Sequence, residues 1–471
     1  MRLVYRISKK SNWSFLAFGI LDNSMDESIA SVSSWTAPIP RLITSSSAWT
    51  SRRISLTARM KKIDEVRSSN INGMARRLFP LLLLLLSSVV AEANNQWVMT
   101  VENTTGVDQT DYPVTIDLKG HGTVLSAKVT DLHSRQALPY QIDDLDRDGI
   151  NDELFFLAKM KAGEKSSFQI ELYSTYQKNE TPARTYAEIV QRTKGRPDIY
   201  LSEFGLQKGT PDGTAYNLLH HHGVAVENEL IAFRIYFDQR QTLDLYGKNH
   251  KGLELRDTQF YPTAAQKAAG YGDDILWVGR TFGFGALRGW NGNNPTMVSD
   301  VGTRVQRIIA SGPLRAIVEV EDREWRTDSL HAPVNLTIRY TVIAGHRDVA
   351  VDARFNRPTP ELRFATGLIN VRNSMEFSDH KGLRGLWGSD YPSEDTLKCK
   401  KETLGMGIYI PQKYVVRELK ADKDNYGFVI RAVDNRICYY LTYSSDNEDY
   451  GYHSARKWFV YLREWAKVAL H

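Results

Sequence analysis

As a pattern of apolar and polar positions, most of the chain alternates. Over 334–343, Val334, Leu336, Ile338, Tyr340 and Val342 form one set, and Thr337, Arg339 and Thr341 form the other. A period of two sends the sets to opposite faces of a strand. The same rhythm runs through RVQRIIASGPLRAIVEVEDREWR, two strands about the turn Ser311-Gly312-Pro313, and through FATGLINVRN, LGMGIYIP, NYGFVIRAV and ICYYLTYSS. Residues 96–175 carry shorter strands, WVMTVEN, YPVTIDL, AKVTDL and SSFQIELYS, bounded by Gly, Asn and Asp turns. Only SARKWFVYLREWAKVAL has helical spacing, with Phe459, Leu462 and Trp465 on one side. The pattern predicts a mainly β protein with few helices. A small N-terminal β-sandwich over 94–178 precedes a large antiparallel β-supersandwich over 179–471, capped by the last helix. The boundary falls near QKNETPARTYAEIVQRTKGRPD, which holds Pro182 and Pro197.

One segment departs from the rhythm. Met74 opens MARRLFPLLLLLLSSVVAEANN: two arginines, a short apolar run, then Ala91-Glu92-Ala93 before a cleavage point. These are the parts of a secretory signal peptide over 74–93, and the apolar run is too short to span a bilayer comfortably. The expectation is a mature chain from Asn94, periplasmic or secreted, with no membrane contact after cleavage. Residues 1–73 are Ser-rich without sustained period, and read as a spurious or disordered extension. Charge follows the same division. Residues 1–93 hold 13 Lys/Arg and 6 Asp/Glu, leaving 47 and 49 in the rest. The basic excess belongs to the leader, so nothing argues for nucleic acid. Cys399 and Cys438 lack metal-ligand spacing and are either a pair or two separate thiols.

The densest chemistry lies in LLHHHGVAVENELIAFRIYFDQRQTLDLYGK, residues 218–248. Phe233, Ile235 and Phe237 alternate with Arg234, Tyr236 and Asp238, and Arg240 is next in step. One face is apolar; the other carries a cation, a phenol and a carboxylate. Such a face suits a polar, hydroxyl-rich or acidic ligand, or is the solvated side of an antiparallel sheet. Three schemes draw on the same residues. Removing a proton beside a carboxylate needs a neutralising cation and a base: Arg234, Arg240 or Lys248, with His221, His222 or Tyr236. Hydrolysis needs two carboxylates across the bond, from Glu227, Asp238 and Asp274. A mutarotase or epimerase would use His222 and Glu227. Aromatics are 11% of the chain, and Tyr261, Trp290 and Trp387 are candidate platforms for a sugar face. Upstream, QIDDLDRDGINDELFF sets Asp144, Asp146 and Asp148 at alternate positions before Gly149, with Asp152 behind. Calcium loops use this spacing, although Phe155 stands where a twelfth-position carboxylate would complete an EF-hand. No scheme requires a cofactor; a structural calcium is the one candidate ion.

The segments PYQIDDLDRDGINDELFFLAKMKAGE, HHGVAVENELIAFRIYFD with DLYGK after it, GDDILWVGRTFGFG and LRGLWGSD span most of 96–465. As a set they resemble the secreted Bacteroidetes family catalogued as domain of unknown function 4861. The strands about SGPLRAIVEV and IRYTVIAGHRDVAVDARF resemble galactose-mutarotase-like supersandwich domains. The resemblance implies an exported protein of a polysaccharide-utilisation system, often one for pectin or other uronate-containing glycans. It supplies no catalytic residue. A glycan lyase or glycoside hydrolase acting on such oligosaccharides ranks first. A non-catalytic glycan-binding protein, or a mutarotase or epimerase, is the alternative.

Overall fold

The computed structural model describes residues 4–7, 95–210, 213–258, 260–397 and 399–469. The signal peptide and nearly all of the 1–73 extension lie outside these. Among the described residues no helix is long and apolar enough to cross a membrane.

Strands dominate, as alternation predicts. In Val334–Ile343 every second residue is buried and those between are half-buried. This strand sits in the middle of a 15-stranded antiparallel sheet. From one edge the order is Asp273–Asp274, Leu243–Gly247, Ala232–Tyr236, Gly223–Asn228, Thr185–Gln191, Ile199–Gln207 and Thr303–Ser311. It continues through Arg315–Trp325, Val334–Ile343, Asp348–Phe355, Arg436–Ser445, Glu402–Tyr409, Leu383–Asp390 and Met375–Ser378. The backbone of Val4–Ile7 joins beside Ile199–Gln207. A second sheet of five strands is centred on Phe364–Ile369 and Asn425–Ile430. One core takes Phe233 and Leu245 from the near end of the large sheet, Ile338 from its middle, Met406 from its far end and Phe428 from the second sheet. The large sheet therefore curls on itself and the smaller one closes it. Tyr443 ties the curl: its hydroxyl accepts from the Ala232 N–H and lies 2.7 Å from the Tyr246 carbonyl.

The N-terminal part is a sandwich of a four-stranded and a three-stranded sheet, packed around Val129, Leu154, Phe156, Phe168 and Ile170. In Glu153–Met160 the alternate residues Phe155 and Leu157 point the other way, onto Leu314 and Ala344. Phe155 thus docks the sandwich on the large sheet. Arg315 locks the same seam, 2.6 Å from Asp143 and 2.8 Å from Glu153.

The C-terminal helix, Ala455–Val468, buries Ala455, Trp458, Leu462, Trp465 and Ala466. Its bed is made of glycines. A Cβ on Gly385 or Gly407 would overlap Leu462, and one on Gly405 would overlap the Trp458 ring. The glycines of LRGLWGSD and LGMGIY therefore mark where a helix lies close on a sheet. Cys399 and Cys438 are free thiols.

Candidate functional site

Alternation places Ala232, Arg234 and Tyr236 opposite the main core, and antiparallel pairing sets Arg234 directly across from Asp244. The face is polar, as expected, but it is not an open wall. The chain after Lys248 folds back over it, carrying the short helices Leu255–Thr258 and Ala264–Ala268. Phe260 plugs the middle: it is fully buried, packs with Ala225, Tyr246 and Leu255, and its ring centre lies 4.0 Å from the Arg234 guanidinium carbon.

This cover takes several expected site residues out of reach. Glu227 and Lys248 are wholly enclosed and paired at 2.6 Å. Lys248 also donates to the carbonyls of Asn228 and Gly252. Glu227 accepts from the N–H groups of Glu254 and Leu255, so it anchors the first turn of the cover. A buried carboxylate with that many donors is a fastener, not a reagent. Arg234 is equally sealed. It donates to Asp244 at 2.6 Å, to the Tyr261 hydroxyl at 2.8 Å and to Asp274 at 3.4 Å, and so balances charge internally. Tyr236 donates to Asp244 at 2.7 Å beneath the Arg240 guanidinium, and Asp238 is paired with Arg240. His221 has no exposure and bonds Glu188 through Nε2 at 2.5 Å. Trp290 lies on the five-stranded sheet beside Arg417, and Trp387 packs in the cluster under the C-terminal helix. Neither joins the cluster.

What remains is a narrow window: Tyr216 and Tyr261 are 38% and 50% exposed, and His222 and Tyr236 beside them are 7% exposed each. His222 has φ 57°, a left-handed backbone that side chains seldom adopt and that is common at working sites. Its ring lies flat on Tyr216, with centroids 3.4 Å apart and planes 4° apart. Nδ1 is 2.7 Å from the Tyr216 carbonyl, which can only accept, so Nδ1 carries the proton. Among the described residues nothing bonds Nε2. Burial, helped by Arg234, Arg192 and His221, brings the imidazole down to about 4. The ring is therefore neutral at pH 7, with a bare lone pair. Tyr236 and Tyr261 stand 6.1 and 6.4 Å away, centroid to centroid. Tyr261 is half exposed. Its oxygen accepts from Arg234, which leaves its own proton to donate. Burial and the Asp244 carboxylate push Asp274 well above the usual carboxylate range. The window thus presents a neutral base and a phenol, with Asp274, Arg192 and Arg240 beside them.

Asp144, Asp146 and Asp152 bring carboxylate oxygens within 4.8 Å of one another. Asp148 stands apart, accepting from the Ile150 N–H at 2.7 Å. An all-oxygen set of this kind suits a hard cation such as calcium. The loop is pinned to the large sheet by Arg147 on Glu203 at 2.8 Å and by Arg339 on the Leu145 carbonyl at 2.7 Å.

Sequence reasoning misses Tyr216, Arg192 and Phe260. Tyr216 sits in a five-residue helix, too short to show a period. Arg192 follows the end of a strand, and Phe260 offers no more than an aromatic pair with Tyr261 in a polar stretch.

Fold and window together define a β-rich protein with an acid–base cluster at the covered edge of a large antiparallel sheet. The chain belongs to the DUF4861 family, a domain of unknown function, whose profile matches residues 101–470. No curated relative matches it. Among solved structures it is similar to a protein in glycosyl hydrolase family 38 from Enterococcus faecalis, at 11% identity and TM-score 0.41, over 83% of this chain and 49% of that one. It is also similar to an alpha-mannosidase from Enterococcus faecalis V583, at 12% identity and TM-score 0.42, over 83% and 47%. The chain spans about half the length of these two structures.

Proposed function

We propose that this protein is an exported carbohydrate-active enzyme that cleaves a uronate-containing oligosaccharide by elimination. The observation that carries the reading is the bare Nε2 of a neutral His222, clamped on Tyr216 with Arg192 and Arg234 nearby. Abstracting a proton beside a carboxylate needs an unprotonated base, and the exposed Arg192 favours an anionic substrate. In this scheme Nε2 takes the proton from the carbon bearing the carboxylate. That electron pair forms the new C=C bond as the C–O bond to the next sugar breaks. The leaving oxygen takes its proton from Tyr261, whose phenolate Arg234 would stabilise from 2.8 Å. Arg240, paired with Asp238 in the free protein, would hold the substrate carboxylate.

Two-carboxylate hydrolysis finds less support. Asp244 and Asp274 converge on the same Arg234 nitrogen, and Asp244 is sealed, so they do not face one another across a cleft. The Asp144, Asp146 and Asp152 loop would hold a structural calcium that stiffens the seam between sandwich and sheet. The test is incubation of the mature chain with pectic oligosaccharides. Wild type should raise the ultraviolet absorbance of a C=C bond conjugated to a carboxylate, and His222→Ala, with unchanged circular dichroism, should not. Binding with no new product would leave a glycan-binding module instead.

A further inference from the structure

Immediately after Asp274 the chain lines a different space. A cavity of about 490 Å³ opens on Ile275, Leu276 and Trp277 on one side, and on residues 369–373, 390–391 and 423–424 on the other. Small-molecule pockets run to about 300–1,000 Å³. Ile275, Val371 and Leu404 supply its apolar lining.

The polar lining carries both signs: Arg372 and Lys423 stand with Asp390 and Asp424. Trp277 is 42% exposed. Its indole lies over Gly279, where φ is 49° and a Cβ would strike the six-membered ring. A backbone without a side chain therefore sets the height of the indole and leaves much of it open. Arg372 and Lys423 are exposed, and among the described residues neither has a hydrogen-bond or ion-pair partner. This contrasts with the arginines of the large sheet, where Arg307 alone reaches Glu203, Glu319 and Glu321. Asp390 holds the Tyr391 N–H with one oxygen at 2.9 Å, and among the described residues nothing bonds the other.

We propose that this cavity is a binding site for one acidic pyranose unit of an oligosaccharide. The Trp277 indole stacks on the sugar face, Arg372 and Lys423 take the carboxylate, and Asp390 accepts from ring hydroxyls. Trp277 lies three residues from Asp274, at most about 11 Å along an extended chain. The acidic glycan is the substrate class of the proposed function, and the inference rests on that reading for this identity alone.

The experiment is calorimetric titration of trigalacturonate, and of its methyl ester, into the His222→Ala protein, where turnover cannot confuse binding. The Arg372→Gln/Lys423→Gln pair changes two exposed side chains and leaves the fold alone. It should weaken trigalacturonate binding about ten-fold or more, as losing roughly 1.4 kcal/mol requires, and abolish the preference over the ester. Trp277→Ala should weaken both ligands. Unchanged affinity in these variants, or no binding of trigalacturonate at all, overturns the site. Turnover in wild type is scored separately. Binding lost in the cavity variants without wild-type turnover keeps the site and removes the enzyme; turnover with unaltered cavity variants does the reverse.

Discussion

A histidine clamped between an aromatic ring and a backbone carbonyl loses the freedom to choose its tautomer, and that makes His222 testable on its own. Its folded value of about 4 lies below the ordinary 6.5. As pH falls, the unfolded chain takes the proton first, so the stability the neutral ring contributes is whole above about 6.5 and is lost progressively down to about 4. Titration by imidazole NMR should show His222 neutral with Nδ1 protonated at pH 6. The acid limb of kcat/KM should fall near 4, and a limb at the ordinary histidine value would contradict the assignment. Asp274 shifts in the other direction: burial and the neighbouring Asp244 hold its carboxyl above the usual carboxylate range. Tyr261→Phe keeps the ring and removes the donated proton, and should lower kcat by about 10²–10⁴-fold with little change in KM. At this scale the sequence is a partial guide. Period two correctly joined Arg234 to Tyr236 on one face. It could not say that this face is covered, because the cover is a separate, aperiodic stretch whose plug, Phe260, is one aromatic residue.

At the scale of elements, two fastenings carry the site. Lys248 and Glu227 pin the return segment to the sheet, and neither is solvated. Glu227→Gln would leave Lys248 buried beside a neutral amide, and should cost about 3–5 kcal/mol in chemical denaturation, with faster proteolysis within 249–272. A catalytic role alone would lower activity and leave both measures unmoved. The glycine bed under the last helix is the second fastening. Gly405→Ala pushes a methyl into the Trp458 ring, and should destabilise by about 1–3 kcal/mol while leaving His222 chemistry intact below the melting transition. The helix itself was legible from its spacing. The full burial of Trp458 is not legible there, because nothing in the helix reveals that the opposing strands carry glycines. The acidic loop gives a third check. Calcium should raise Tm of the wild-type chain and a chelator should lower it, with no response in Asp152→Asn, since Asp152 is one of the three converging carboxylates.

At the scale of the whole molecule, alternation was enough for a mainly β fold with a small sandwich ahead of a large sheet. Closure of the sheet was not legible, because contacts such as Tyr443 to Ala232 join residues far apart in sequence and leave no local trace. Trp290 and Trp387 show the same limit: a tryptophan between glycines reads alike whether it faces a sugar or a helix. The architecture that results holds a neutral base, a phenol and a raised carboxyl at one covered sheet edge, within a short chain length of a cavity that carries Trp277, Arg372 and Lys423. The most direct measurement is the ultraviolet progress curve of the protein on an oligogalacturonate, run beside His222→Ala. Absorbance that grows with wild type, and stays flat with a folded His222→Ala protein, is the predicted result. Equal curves for the two, flat or rising, would contradict the account.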